Sequence, residues 1–332
     1  MPSNLHKALL TWYQHHKRKL PWRGESDAYR ILLSEMLLQQ TRVEQAIPYY
    51  QRFLQQFPNL ETLAQASQED VLKAWQGCGY YARARNLHKL AQQLVFAGQA
   101  LPCSSVELLA LPGIGPYTAA AVASMAFGEP VATVDGNVRR VLSRLFAWEK
   151  PSPKQVQETA DTLMAQLVNR RGDRDTPGNW NQALMELGAT VCTPKNPSCG
   201  ACPVAPFCQG KNHPERYPAA QKRLQKSLEM VALVLQGPAG VHLELRQGPV
   251  LGGLWGVPME EDPGALERLL ARFGLDKAEP VGAVRHDFTH RKLNIQVYKA
   301  PYEAKENPRQ RPLSRLDRKI LKLVETKSLR LL

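Results

Sequence analysis

Residues 192–208 read CTPKNPSCGACPVAPFC, with cysteines at 192, 199, 202 and 208. Four of the chain's six cysteines therefore stand in one short loop, separated by six, two and five residues. Four thiolates so placed can wrap a tetrahedral metal or a cubane cluster. Zinc sites usually arrive as two Cys-x-x-Cys knuckles. Here one tight pair is flanked by two single cysteines, which favours an iron–sulfur cluster. Cys78 and Cys103 stand alone and read as packing residues. Six cysteines in 332 residues are too few for a disulfide scaffold.

Upstream of the loop, apolar residues recur at helical spacing in 5–13, 29–38, 46–57, 71–75, 84–96 and 118–127. Further helices are expected after Asp135 and Ser152 and over 179–187. Gly and Pro separate these stretches. Downstream, residues 209–227 are polar, basic and proline-containing, and read as a linker. Short Val-, Leu- and Ile-rich runs follow at 230–235, 241–245, 281–284 and 293–298, with an amphipathic helical stretch at 264–273 and a basic tail, partly helical around 313–324. The expected fold is α+β overall: an all-α domain over 1–208, a linker over 209–227, and a small α+β domain over 228–332. The chain carries 43 Lys and Arg against 30 Asp and Glu, a net charge of +13, and both halves are basic. That balance suits a polyanionic partner. The longest apolar run, 119–127, is interrupted by Ser124 and is too short to span a bilayer. The N-terminal stretch has no apolar core before a small-residue cleavage site, so a secretory signal is not expected and the chain reads as cytoplasmic.

Two local patterns carry chemistry. LPGIGPYT (111–118) joins two helical stretches. Gly113 and Gly115 should let the backbone take positive φ and approach another chain, and a helix opening there turns its free N–H groups outward as a phosphate seat. VDGNVRRVL follows at 134–142, with Asp135 where a helix should begin, a common N-cap. The second pattern is ILLSEMLL (31–38), which sets Glu35 among apolar neighbours. A carboxyl group desolvated this way has a raised pKa and can act as a general acid near neutral pH.

The cysteine intervals resemble the 4Fe–4S loop of helix-hairpin-helix DNA glycosylases, the group of endonuclease III and the MutY-type adenine glycosylases. LPWR (20–23), LLSEMLLQQTRV (32–43), GCGYYARARNL (77–87) and NWNQALMELGATVC (179–192) carry the likeness towards the MutY branch over residues 5–208. The resemblance implies an all-α helix-hairpin-helix domain whose cluster fixes a loop that meets DNA, with Lys195 and Lys211 near phosphates. It implies that Asp135 is catalytic beside Glu35, with Tyr117 and Asn137 positioning Asp135. It implies that Trp22, Arg23 and Glu186 handle the extruded base, and that Gln39, Gln40, Thr41 and Tyr80 wedge into the duplex. Cys78 replaces the larger aliphatic residue usual between the glycines of that turn. Lyase-type members carry a lysine at the position of Tyr117; a tyrosine cannot form an imine.

LGGLWGVP (251–258) and HDFTHRKLNIQVY (286–298) resemble the Nudix-like C-terminal domain of the same branch. Met259, Arg268, Ala271 and Arg272 stand where a working Nudix box has glutamates, so hydrolase activity is not expected. Phe288, Thr289 and His290 match the loop that inspects 8-oxoguanine. The expected function is thus a monofunctional adenine DNA glycosylase, a monomer acting on A opposite 8-oxoguanine or G in duplex DNA. A lyase-type pyrimidine glycosylase is disfavoured by Tyr117 and Glu35, a non-catalytic iron–sulfur DNA-binding protein by Glu35 with Asp135, and a nucleotide pyrophosphatase by the missing glutamates.

Overall fold

Asp27 opens the helix that matters most to the site, accepting from the Arg30 amide in the first turn. The structure is a computed structural model and describes residues 2–171, 176–219, 226–248, 251–288 and 291–328. Its helical part runs α1 (Pro2–His16), α2 (Ala28–Leu38), α3 (Val43–Gln56), α4 (Leu60–Gln65), α5 (Gln68–Ala74), α6 (Ala82–Phe96), α7 (Ser105–Leu109), α8 (Pro116–Phe127), α9 (Gly136–Leu145), α10 (Pro153–Arg171) and α11 (Thr176–Thr190). By contacts the chain divides into two units: 1–64 with 89–221, and 65–88 with 222–332.

In the first unit, α2 is apolar nearly all round, and its residues Tyr29 and Ile31–Leu37 are buried. Such a helix is a core element, not a surface one. It packs against α8, whose Ala119–Ala123 run is buried and small enough for close approach. Pro116 starts α8 and Gly128, in the left-handed region, ends it. Helix α11 comes so near α8 that a Cβ on Gly178 would stand 2.9 Å from the Met125 Cα. Leu5, Leu9 and Tyr13 of α1 join Trp180, Leu184 and Leu187 of α11 and Val138 and Leu142 of α9 in one core cluster. Buried Asn181 stitches the extended segment before α9: its Oδ1 accepts from the Thr133 amide at 3.1 Å, and its Nδ2 donates to the Ser124 Oγ and the Val131 carbonyl, both at 2.9 Å.

The expected linker is only in part a connector. Gln209, Gly210 and Ala219 donate backbone hydrogen bonds to Leu145, Arg144 and Glu149, so its first residues are tied to the end of α9. At its other end, Lys226 already starts a strand.

The second unit contains β1 (Lys226–Gly237), β2 (Gly240–Val241), β3 (Glu244–Leu245), β4 (Trp255–Gly256), β5 (Met259–Glu261), α12 (Ala265–Phe273), β6 (Glu279–Asp287), β7 (Arg291–Pro301) and α13 (Arg315–Ser328). The main sheet has the order β2-β1-β7-β6, with β5 also on β1; β1 and β7 are parallel, β6 and β7 antiparallel. β1 is buried on both faces. Ala232 and Val234 join the cluster of α13, and Val231, Leu233 and Leu235 that of α12. Successive side chains of a strand point to opposite faces, so the two helices cover opposite sides of the sheet. Helices α5 and the first turns of α6 belong to this unit: Arg85 donates to the Gly252 carbonyl, Gln76 to the Leu313 carbonyl at 3.1 Å, and Arg311 pairs with Glu69 at 3.3 Å.

Candidate active site

A cavity of about 570 Å³ opens in the first unit, walled by Glu35, Tyr117, Asp135, Asn137, Trp22, Arg23, Gln39, Gln40, Thr41, Gln182, Met185 and Glu186. Residues from four distant parts of the sequence thus face one space. Glu35 is 5% exposed. Burial pushes its carboxyl up to about 7; a hydrogen bond from Tyr117 opposes the rise, the Asp135 carboxylate adds to it, and Arg23 opposes it. Tyr117 Oη donates to the Glu35 Oε2 at 2.7 Å and also contacts the Met185 Sδ at 3.2 Å. This corrects one expectation: Tyr117 holds Glu35, not Asp135.

Asp135 is both the N-cap of α9 and a cavity wall. Its Oδ1 accepts from the Val138 amide at 2.7 Å and its Oδ2 from the Asn137 Nδ2 at 2.8 Å. Burial raises its pKa, and these hydrogen bonds oppose that. Asn137 is held in turn by Arg140, which donates to its Oδ1 at 2.8 Å, to the Gly188 carbonyl at 2.7 Å and to the Cys192 carbonyl at 2.8 Å. The cap, the cavity wall and the cysteine loop therefore share one hydrogen-bonded chain.

Glu186 is fully engaged. Arg18 donates to its Oε1 at 2.7 Å, and Arg23 reaches its Oε2 at 2.5 Å while also donating to the Gln182 Oε1. The arginines hold the Glu186 pKa below the usual range against the opposing effect of burial, which is the largest single influence. Glu186 thus anchors Arg23 to the wall, and one donor of Arg23, Nε, is buried without a partner among the described residues. Arg18 and Gln182 were not foreseen. Gln182 had a signal, since it lies one turn before Glu186 on the same helix face. Arg18 had none beyond its place in a basic run.

Trp22 is buried edge-on to Tyr50, with ring centroids 5.3 Å apart. Gln39 caps α2 and donates to the Thr118 Oγ1 at 3.1 Å; Gln40 next to it has φ +59°. Tyr80, in the second unit, has φ +48° and is 43% exposed, with the Arg83 guanidinium 5.3 Å from its ring centroid. At the hairpin the two glycines differ. Gly113 takes φ +76°, but Gly115 is an extended N-cap at φ −94°, which any residue can adopt, with open space where a Cβ would stand. Only Gly113 is needed for its backbone angle.

The cysteine loop closes on α9 and α11. Cys192, Cys199, Cys202 and Cys208 line one small cavity with Val141, Leu145, Leu187 and Val204. Among the described residues no three metal-binding side chains converge tightly on a point; the sulfurs surround a shared space. Burial pushes the Cys202 thiol up to about 11, and the other three cysteines add to the rise. Four half-buried sulfurs around one space suit a group whose irons neutralise their charge. Buried Arg144 fixes the loop, donating to the Thr193 carbonyl at 2.7 Å, the Pro194 carbonyl at 3.2 Å and the Cys192 Sγ at 3.4 Å.

In the second unit, Arg268 and Arg272 of α12 spend their guanidinium groups on Glu260 and Glu244. Phe288 packs on the α13 side of the sheet, edge-on to His286 with centroids 4.8 Å apart. Thr289 and His290 lie outside the described residues.

Comparison with known proteins agrees with this geometry. Residues 33–166 match the HhH-GPD superfamily of base excision DNA repair proteins, 192–208 the iron–sulfur binding domain of endonuclease III, and 230–325 the NUDIX domain. An adenine DNA glycosylase of Buchnera aphidicola is 34% identical over 260 residues, covering 75% of this chain and 71% of that protein. The chain belongs to the adenine DNA glycosylase family. The human adenine DNA glycosylase is 44% identical over 220 residues, 63% of this chain, and the match spans 40% of the human protein's length. Among solved structures, a thermostable thymine-DNA glycosylase superposes with TM-score 0.57 at 29% identity, over 64% of this chain and 96% of that one. Endonuclease III trapped on DNA superposes with TM-score 0.52 at 22% identity, over 64% and 97%, a likeness of fold. The cofactor of the cysteine loop in this family member is a 4Fe–4S cluster.

Proposed function

We propose that the chain is a monofunctional adenine DNA glycosylase, acting as a monomer on adenine paired with 8-oxoguanine or guanine in duplex DNA. The observation that carries the reading is Glu35: a buried carboxyl group near neutral pKa, held by Tyr117 in the cavity that Asp135 also lines. The family names of the relatives supply the substrate class.

In this reading the adenine is extruded into the cavity. Glu35, in its acid form, gives its proton to adenine N7. The C1′–N9 bond then breaks, its electron pair leaves with the base, and an oxocarbenium-like sugar remains. The Asp135 carboxylate stabilises that charge, as the second carboxylate of a retaining glycosidase does. Glu35, now a carboxylate, takes a proton from the water that attacks C1′. Arg23, braced by Glu186 and Gln182, and Trp22 orient the base. Asn137 and the α9 amide keep Asp135 aimed and ionised. With Tyr117 in the hairpin there is no amine to form a Schiff base, so the strand stays intact. Cys192, Cys199, Cys202 and Cys208 would hold the cluster, which orders the loop that meets the backbone.

The domain of residues 1–208 performs the chemistry in this reading, and 228–332 reads the partner base through Phe288, Thr289 and His290. Incubation with duplexes containing A:8-oxoguanine, A:G or thymine glycol tests the proposal. Free adenine from the first two, strand cleavage only after alkali, and no release from the third are expected. Release of thymine glycol with direct strand cleavage would point to the lyase branch instead.

A further inference from the structure

Helix α13 places Arg315, Arg318, Lys319 and Lys322 on its exposed side, at spacings of three, four and seven residues. These positions form a single stripe on a helix. The opposite side, with Leu316, Ile320 and Val324, is buried in the core of the second unit, and Asp317 on that side is consumed by Arg246 and Ser314. The stripe is therefore fixed in orientation by the core beneath it.

Its cations differ from five others in the same unit. Arg246, Arg268, Arg272, Lys299 and Arg311 each stand within 4 Å of a carboxylate. Among the described residues, none of the four cations on α13 does. Glu325 lies one turn further along the exposed side. The stripe also borders the β6–β7 hairpin: the Lys319 Nζ reaches the Arg285 carbonyl at 3.4 Å, and Lys319 and Arg315, after burial, hold the His286 pKa below its usual value against the pull of Asp287. The hairpin adds exposed Arg285, Arg291 and Lys292, with Asp287 directly opposite Lys292 in the register. From Arg315 to Lys322 the helix advances roughly 10 Å at 1.5 Å per residue, a length that meets two to three successive phosphates of one strand.

We infer that the exposed side of α13 is a phosphate-binding surface that seats one DNA strand beside the Phe288 hairpin. It rests on the proposed function for its biological setting, but its chemistry is sequence-independent. The cations of α12 are spent on carboxylates, whereas the row on α13 is free of them among the described residues, and its fixed place beside the hairpin sets the register in which the hairpin meets a base.

The test is the salt dependence of binding by the full chain. Dissociation constants are measured from 50 to 200 mM NaCl on an undamaged duplex and on an A:8-oxoguanine duplex. The variant carries Arg315→Gln, Arg318→Gln, Lys319→Gln and Lys322→Gln, all helix-compatible surface changes. At a slope of about 0.9 per phosphate, loss of two to three contacts should make the parent's Kd rise roughly 10- to 40-fold more than the variant's across that range, equally on both duplexes. Arg315→Lys with Arg318→Lys keeps the charges and should restore the parent slope. Arg268→Gln with Arg272→Gln, at the paired cations of α12, should leave the slope alone. An unchanged slope in the quadruple variant, or the same loss in the α12 variant, would overturn the inference. A parent that binds with the expected slope but releases no adenine would instead overturn the proposed function and leave this surface standing.

Discussion

Glu35 sets the pH behaviour of the site, because its ordinary value of 4.5 is raised to about 7 by burial. Base protonation needs the acid form, so single-turnover excision should fall as pH rises through about 7. Glu35→Gln should bind the duplex yet lose at least about two orders of magnitude in excision, the usual share of a general acid; an unchanged rate would remove Glu35 from the chemistry. The same shift couples to stability. The folded protein holds a proton that the unfolded chain releases near pH 4.5, so the contribution is full below that pH and is lost as pH rises through 7. Gln has no proton to lose. Glu35→Gln should therefore gain on the parent with rising pH, by up to roughly 3 kcal/mol above pH 8, with only a small difference near pH 5; melting curves at both pH values check it. Tyr117 works in the opposite sense, since its hydrogen bond favours the Glu35 carboxylate. Tyr117→Phe should move the alkaline limb of the rate profile to higher pH while slowing the reaction. A limb that stays in place would mean that the hydrogen bond does not tune the acid.

Helices α9 and α11 hold the site together at the next scale, and their contact depends on a glycine. A Cβ on Gly188 would stand 2.6 Å from the Asn137 Cβ, and the Gly188 carbonyl accepts from Arg140. Gly188→Ala should push α11 off the start of α9, costing about 1–3 kcal/mol and slowing excision through Asn137 and Asp135. A full excision rate in this variant would show that the cap tolerates the shift. The cysteine loop that follows α11 depends on all its ligands: Cys199→Ser should lower the iron content from about four per chain, as the 4Fe–4S cluster requires, and weaken duplex binding, read by iron assay and titration. Much of this was legible in the sequence. Amphipathic stretches marked α1, α3 and α6 within a few residues, because burial of one face imposes the period, and nearly continuous apolar runs marked the core helices α2 and α8. Helices α4 and α7, of six and five residues, are too short to show one, and β4 and β5 are pairs and triplets held by neighbours. Local setting and family likeness singled out Glu35, Asp135 and the cysteines, and the fold brings the first two to one cavity and the four sulfurs to one space. The pairing of Arg18 with Glu186 joins residues 168 apart in the chain, and nothing local encodes it. Tyr117 was placed in the right cavity, but its partner was decided by the packing of α8 on α2.

At the scale of the whole chain, the packing of residues 65–88 with the second unit decides how the proposed lesion reading should be tested. Removing residues 228–332 looks like the direct experiment, but it would also strip the support from residues 65–88. Arg311 pairs with Glu69, Gln76 and Arg85 bond to the Leu313 and Gly252 carbonyls, and the Leu72 side chain lies against Gly253. The turn that carries Tyr80 belongs to that segment, so a deletion would change the proposed wedge and the proposed reader together. Substitution of Phe288, Thr289 and His290 by Ala avoids this, because Phe288 is only partly buried at the edge of its cluster. 8-Oxoguanine differs from guanine at O8 and at the N7–H, and polar readout of one base pair is worth roughly 1–3 kcal/mol. The triple variant should therefore keep excision of A opposite G while its preference for A opposite 8-oxoguanine falls by about ten- to a hundredfold. Single-turnover rates and dissociation constants on the two duplexes separate the outcomes. Equal weakening on both would assign the hairpin to backbone contact alone, and the oxidised base would then be read by residues of the first unit.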